Sequence, residues 1–321
     1  MINKIESILD SQFTLTNGLF IQNNSRETGN QKQTNQAFTN KWTEYSQEEI
    51  KEKEKLFEFQ KNWYLELYGF ENESALANFL KEKSVILDAG CGLGYKAKWF
   101  ADLSPNSLII GMDFSEAAEI AANTYTDTSN LVFVKGDISN TKLKQNTIDY
   151  VSCDQVIHHT SDVSRTYREL VRIMKPGAEL AVYVYAKKAL PRELLDDYFR
   201  DASKNISHEK MKDFSEQLTT LGKRLSELNI DVDIPDLPLL GIKGGKMDIQ
   251  RFIYWNFLKC FWSSELGWST SVATNYDWYS PSNAFRYSQE EFLAFAKNNN
   301  LDTLFLHTEE ACHTGRFKKN I

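Results

Sequence analysis

The chain has 321 residues, with 37 Lys+Arg against 44 Asp+Glu and a formal net charge of −7. Hydrophobic residues make up 41% and charged residues 25%, which excludes wholesale disorder, and the acidic balance lacks the electrostatic footprint of a non-specific nucleic-acid binder. Cys91, Cys153, Cys260 and Cys312 stand far apart with no C-x-x-C pair, which argues against a zinc ribbon or a disulfide framework. Length predicts two domains, or one α/β domain carrying a large insertion. Aromatic residues reach 13%, a surplus that needs a place in the fold.

The first residues, Met1 to Glu6, have no apolar stretch of the kind that directs secretion. The densest apolar run, Phe252 to Trp262, is too short to span a bilayer and contains Asn256 and Lys259. A cytoplasmic enzyme or binding protein is expected.

In chain order, residues 1–37 are rich in Asn, Gln, Thr and Ser and read as a loosely ordered arm, with a short strand around Leu19 to Ile21. Ser46-Gln47-Glu48-Glu49 fits a capping box and predicts a helix running to Gly69. Phe59, Trp63 and Leu67 share one face of it, and Phe57, Tyr64 and Tyr68 an adjoining one. Residues 38–83 therefore read as an aromatic helical cap.

From Ser84 short apolar runs alternate with helical segments. Strands are predicted at 84–87, 108–113, 131–134, 148–153 and 179–185, with helices at 95–103, 115–125 and 161–174; Lys175-Pro176-Gly177 breaks the chain before the fifth strand. Strands that are apolar throughout, separated by helices, mean a parallel sheet covered on both faces, with a ligand at the carboxyl ends of its strands. Residues 187–287 interrupt this core (84–186) as a helical and aromatic lid with a Pro-rich turn at Ile234 to Pro238. Regularity returns over 288–321: Ser288-Gln289-Glu290-Glu291 is a second capping box, and the runs 301–309 and 311–318 are spaced to pair as a hairpin.

Chemistry concentrates at Val85-Ile86-Leu87-Asp88-Ala89-Gly90-Cys91-Gly92-Leu93-Gly94. A nicotinamide-binding turn would read G-x-G-x-x-G, but here the third glycine comes one position early and Tyr95 takes its place. Asp88 is ill-suited to a pyrophosphate and well suited to a ligand carrying an ammonium group.

These residues resemble a class I S-adenosylmethionine-dependent methyltransferase over 84–186 and the terminal helix and hairpin. The resemblance implies a Rossmann-like α/β fold, with a mostly parallel seven-stranded sheet, a C-terminal antiparallel hairpin and a helical insertion. It implies S-adenosylmethionine as cofactor. Asp88, Gly90, Gly92 and Gly94 would hold the methionine moiety and Asp113 the ribose hydroxyls. Asp137 would meet the adenine amino group, between Ile138 and Phe114, and Cys153, Asp154 and Gln155 the sulfonium end. Met174-Lys175-Pro176-Gly177-Ala178 resembles the family's L-K-P-G-G turn.

A finer resemblance lies in Asn17 to Ile21 with Ala37 to Trp42, and in Tyr276-Asp277-Trp278-Tyr279-Ser280-Pro281. Both are similar to segments of bacterial methyltransferases acting mostly on small molecules, including sugars and secondary metabolites. The zinc-ribbon cysteines that often accompany the first are missing here. Phe38, Trp42 and Tyr45 are candidates for closing the cofactor site.

His158, His159 and Asp277 are the candidate proton acceptors, a histidine near neutrality being the usual choice. Quinone-biosynthesis enzymes carry E-x-x-E-H where this chain has Gln155, His158 and His159. Loss of both carboxylates argues against a metal. The expected activity is methyl transfer to an oxygen or nitrogen of a small-molecule acceptor, with no nucleic-acid partner. A silent methyltransferase-like subunit and a nicotinamide oxidoreductase are the alternatives.

Overall fold

The computed structural model describes residues 2–10, 12–23 and 29–320. Residues 24–28, part of the expected arm, lie outside them. In chain order the elements are α1 (Ile2–Ile8), β1 (Phe13–Thr16), β2 (Leu19–Gln22), α2 (Gly29–Ser46), α3 (Ile50–Leu67), α4 (Glu73–Lys81), β3 (Val85–Ala89) and α5 (Tyr95–Leu103). There follow β4 (Leu108–Asp113), α6 (Ala117–Thr124), β5 (Leu131–Lys135), β6 (Ile148–Cys153), α7 (Val163–Ile173) and β7 (Met174–Ala186). Then come α8 (Leu190–Ala202), α9 (His208–Glu227), β8 (Asp231–Ile234), β9 (Gly245–Asp248), α10 (Ile249–Asn256) and α11 (Gly267–Tyr279). The chain closes with β10 (Arg286–Tyr287), α12 (Gln289–Asn298), β11 (Leu301–Thr308) and β12 (Cys312–Lys319).

These elements form two compact units. The first comprises Met1–Gln31, Phe57–Ala186 and Phe285–Ile321; the second comprises Lys32–Leu56 and Lys187–Ala284.

The first unit is built on one sheet in the order β1-β2-β5-β4-β3-β6-β7-β12-β11. Strands β2 to β7 pair in parallel along it, whereas β12 runs antiparallel between β7 and β11. Residues of β3 alternate between two cores. Leu87 and Ala89 face Tyr167 and Leu170 of α7 and Phe292 and Ala296 of α12. Ile86 faces Tyr64, Leu76, Phe100 and Ala118 from α3, α4, α5 and α6. A sheet buried on both faces is why its strands read as unbroken apolar runs.

The sheet is wider than the seven strands expected. Among the described residues it has ten, because β1 and β2 extend one edge and β10 pairs with β7 beyond the end of β6. The turn between β1 and β2 is Asn17-Gly18, both with positive φ (49° and 80°), the conformation a two-residue hairpin requires. Much of the expected loose arm is thus α1 and an edge hairpin. Gln22 fastens it: its Nε2 donates to Asn140 O (2.9 Å) and its Oε1 accepts from Asp137 N (2.8 Å).

Three other boundaries differ. Ser46 ends α2 and does not start a helix; α3 begins at Ile50. The Lys175-Pro176-Gly177 break lies inside β7, as an irregularity where Ile148 opposes Met174 but Tyr150 opposes Glu179. Helix α7 starts at Val163 and not at Ser161, capped by Asp162, which accepts from Arg165 N at 2.8 Å. The second capping box stands as expected: Ser288 Oγ accepts from Glu291 N, and Glu291 Oε2 accepts from Ser288 N (2.7 Å). Ser288→Ala should lower unfolding free energy by about 1 kcal/mol, read from the urea midpoint at constant slope.

The second unit is mainly helical, with α9 against α11 through Asn275 Nδ2 donating to Thr219 Oγ1 (2.9 Å). Its one hairpin, β8 with β9, includes Ile234 of the Pro-rich turn. At its centre Asp196, fully buried, takes Arg192 Nε (2.8 Å), Trp278 Nε1 (2.9 Å) and Tyr279 OH (2.9 Å). Arg192, also buried, donates as well to Tyr254 O. Part of the aromatic surplus is spent here.

Candidate active site

Within the first unit, β3 delivers the chain to a turn at Gly90 that hangs from the neighbouring strand. Gly90 N and Cys91 N both donate to Met112 O of β4, at 2.7 and 3.1 Å. Gly90 has φ +82°, and a Cβ there would lie 2.3 and 2.4 Å from the γ-carbons of Val156. Glycine is required both by conformation and by space. Gly92 N donates to Asp113 Oδ2 (2.9 Å), while Asp113 Oδ1 accepts from Ser115 N (2.9 Å) and Oγ (2.7 Å). Asp113 therefore staples the turn to the end of β4, with about one of its four acceptor positions left over. Gly94 leads directly into α5.

Asp88, the last polar residue before the turn, is fully buried, and among the described residues its oxygens meet no donor except the ammonium of Lys96. The ammonium facing it belongs to the chain itself. Lys96 Nζ, from the first turn of α5, lies 3.2 Å from Asp88 Oδ1 and 3.3 Å from Asp154 Oδ2. Asp154 also accepts from Tyr68 OH (2.9 Å). Burial pushes the Asp88 carboxyl up to about 6, against the pull of the Lys96 charge, with Asp154 and Asp113 adding to the rise. For Lys96, burial works to strip the proton, but Asp154 and Asp88 outweigh it and hold the ammonium above its ordinary range. One cation thus serves two carboxylates, with a third close enough to be felt.

The remaining cofactor candidates follow the strand ends. Asp137, after β5, accepts from Ser139 N and Oγ, each at 2.8 Å, and Ile138 beside it is buried. Phe114 is half-buried after β4. Cys153 ends β6 fully buried, its thiol pushed up by burial. Gln155 has φ +62°, a left-handed backbone one residue beyond Asp154, and such strain collects at functional sites.

His158 and His159 lie in the short helical turn after β6, both buried. The His158 ring packs 3.9 Å from that of Tyr185, its Nδ1 meets Tyr183 O at 3.4 Å, and its Nε2 has no hydrogen-bond partner among the described residues. Burial, with His159 beside it, drives its pKa well below the usual value, so it stays neutral and holds a proton poorly.

Phe38, Trp42, Tyr45 and Asp277 belong to the second unit. There Lys41 Nζ pairs with Asp277 Oδ2 at 2.6 Å and sits 4.4 Å from the Trp42 ring centroid and 5.9 Å from that of Phe38; Trp42 in turn meets Tyr45 edge-on.

Sequence reasoning missed Lys96, Tyr68 and Gln22. Lys96 carries a legible signal: a lysine in the first turn of a helix opposes the helix dipole and needs a local anion.

Residues 87–182 match the family described as "Methyltransferase domain". With the strand order, the glycine turn and the acidic strand ends, the match identifies a methyltransferase domain of the S-adenosylmethionine-dependent type over residues 87–182. The chain is 28% identical over 200 residues to a sterol 24-C-methyltransferase of Schizosaccharomyces pombe, covering 59% of this chain and 52% of that protein. It is 31% identical over 117 residues to a demethylmenaquinone methyltransferase of Staphylococcus saprophyticus, covering 35% and 49%. The chain spans about half or less of the length of these relatives. A solved S-adenosylmethionine-dependent methyltransferase from Aquifex aeolicus superposes with TM-score 0.42 and 13% identity over 79% of this chain and 91% of that one. Among the described residues no helix is long and apolar enough to cross a membrane.

The cofactor of this class is a sulfonium cation bearing an ammonium group, and the residues fit it. Asp88 presents two buried oxygens answered among the described residues only by Lys96, in a cluster with more carboxylates than cations. Buried carboxylates of this kind favour a cationic partner.

Proposed function

We propose that the chain transfers the methyl group of S-adenosylmethionine to an oxygen or nitrogen of a small-molecule acceptor. The observation that carries this reading is the excess of carboxylate around the buried Asp88 and the partly buried Asp154, set against a glycine turn at the carboxyl ends of parallel strands. When bound, the cofactor supplies a methyl group on a leaving group already activated by its positive charge. The work of this chain is then to bind and orient. Asp88 and Asp154 attract the cation while Lys96 keeps them from repelling one another. The remaining acceptor position of Asp113 takes a ribose hydroxyl, and Asp137 takes the adenine amino group over Ile138 and Phe114. The buried Cys153 and the half-buried Gln155 beside it keep water from the sulfonium end. A neutral, enclosed His158 suits an acceptor that arrives as a competent nucleophile better than one needing a strong base.

Titration of the cofactor into the protein, with transfer of labelled methyl to candidate acceptors, tests the reading. No binding by the wild type would end it. Affinity should depend on pH in a set direction. The cation prefers ionised Asp88, whose carboxyl titrates near 6, so a proton must leave below that pH. Affinity should therefore fall up to about tenfold per unit below pH 6 and level off above it. Asp88→Asn should flatten the profile; a wild-type profile flat from pH 5 to 7 would remove Asp88 from the role.

A carbon acceptor is the second reading, favoured by the chain's similarity to a sterol 24-C-methyltransferase. Product analysis by mass spectrometry separates the two.

A further inference from the structure

The second unit holds a buried lysine that makes no direct ion pair among the described residues. Lys259 is 6% exposed, and among the described residues its ammonium makes no ion pair and no hydrogen bond. It lies 4.4 Å from the centroid of the Trp278 ring. The same ring has Arg192 at 5.0 Å and Lys188 at 5.8 Å, so three cations gather on one indole. The nearby anions are engaged: Asp196 by Arg192, Trp278 and Tyr279, and Asp277 by Lys41.

The loop carrying Lys259 is fixed on both sides. Lys259 N donates to Tyr279 OH (3.2 Å), and Cys260 O accepts from Gln250 Nε2 (2.9 Å). Phe261 N donates to Asn275 Oδ1 (2.7 Å) and its carbonyl accepts from Asn275 Nδ2 (3.0 Å). Gln250 and Asn275 are buried. A buried ammonium without a counter-ion is costly, and a chain that holds one rigidly in place has prepared it for a partner. Burial pulls Lys259 down to about 8, with Asp277 opposing, so the ammonium is still mostly charged at neutral pH.

We propose that Lys259, on its platform of Trp278, is a binding site for the carboxylate of a small organic molecule. The chemistry favours a monoanion. One ammonium lacks a partner, and the guanidinium of Arg192, the group best shaped to grip a phosphate from two sides, is committed to Asp196 and the Tyr254 carbonyl. The rings of Trp278, Tyr254 and Trp255 around these cations suit an apolar body behind the charge. This inference goes beyond methyl transfer and does not rest on it.

The test is calorimetric titration of the full chain with benzoate, benzamide and inorganic phosphate, in the absence of any cofactor. Benzoate should bind at least tenfold more tightly than benzamide or phosphate. Lys259→Met should lose that binding tenfold or more, and Lys259→Arg should keep it within about threefold. Without ligand, Lys259→Met should melt at a higher temperature than the wild type, because it removes an uncompensated buried charge. Four results would each overturn the proposal: no benzoate binding, equal binding by Lys259→Met, benzamide or phosphate binding as well as benzoate, or a lower melting temperature for Lys259→Met. The last would make the lysine a structural partner of Trp278.

Discussion

Asp196→Ala should cost about 3–5 kcal/mol of unfolding free energy, which makes it among the most damaging single changes in the second unit. The physical reason is asymmetric. Replacing Asp196 removes a charge that had itself been buried, but leaves Arg192 buried at 1% exposure with only the Tyr254 carbonyl and aromatic rings around it. The indole N–H of Trp278 and the hydroxyl of Tyr279 lose their acceptor in the same step. Each such orphan adds about 1–3 kcal/mol of lost hydrogen bonding, partly recovered by relaxation. Asp196→Asn keeps one acceptor oxygen and should fall between wild type and alanine. Arg192→Met with Asp196→Leu should be milder than Asp196→Ala alone, since no charge is then stranded. Urea denaturation of the four proteins gives the ordering, and an alanine variant within 1 kcal/mol of wild type would mean that the cluster does not hold the second unit together.

Gly90→Ala should abolish cofactor binding, with at least a hundredfold rise in Kd, and lower stability by about 2–5 kcal/mol. Two costs add. A left-handed backbone costs a residue with a Cβ about 1–2 kcal/mol, and forcing atoms into occupied space costs about 1–3 kcal/mol more. Here the occupant is Val156, with γ-carbons 2.3 and 2.4 Å from the new atom. Either the valine moves, disturbing the segment that carries Asp154 and Gln155, or the turn moves and its bonds to Met112 O are broken. Val156→Ala in the same chain should recover part of the loss by removing the γ-carbons. The Val156 Cβ, 2.8 Å away, and the conformational cost would remain. Absence of any rescue in this double-mutant cycle would place the damage elsewhere.

What could be read from the sequence depended on whether local pattern and tertiary role agreed. Between Val85 and Ala186 they agree: strands buried on both faces must be apolar throughout, and the punctuation at Asp88-Ala89-Gly90, Asp113 and Gly136-Asp137 marks their ends. The capping box at Ser288 is equally local. Helix α2 was illegible because residues such as Gln33, Thr34 and Asn35 are poor advocates for a helix. It is held by tertiary bonds, among them Gln33 to Ser280 and Ser282, and Thr34 to Asn283. The hairpin of β8 and β9 was hidden by its short strands and by Pro235 and Pro238 in the connection. At the site, the acidic strand ends were visible one by one. The bridge that Lys96 makes between Asp88 and Asp154 was not, because it joins residues brought together only when β3 and β6 pair.

The position of β12 has a consequence for how the chain is made. Strand β7 emerges from synthesis with β6 already available on one side, but its other edge waits for Cys312–Lys319. Residues 187–311, including the larger segment of the second unit, Lys187–Ala284, must be translated before that edge is covered. Until then a long, apolar strand stands open in the middle of what will become the sheet, a template for pairing with another nascent chain. The order of translation therefore gives the inserted segment its own opportunity to fold first, while the nucleotide-binding sheet remains the last part to close.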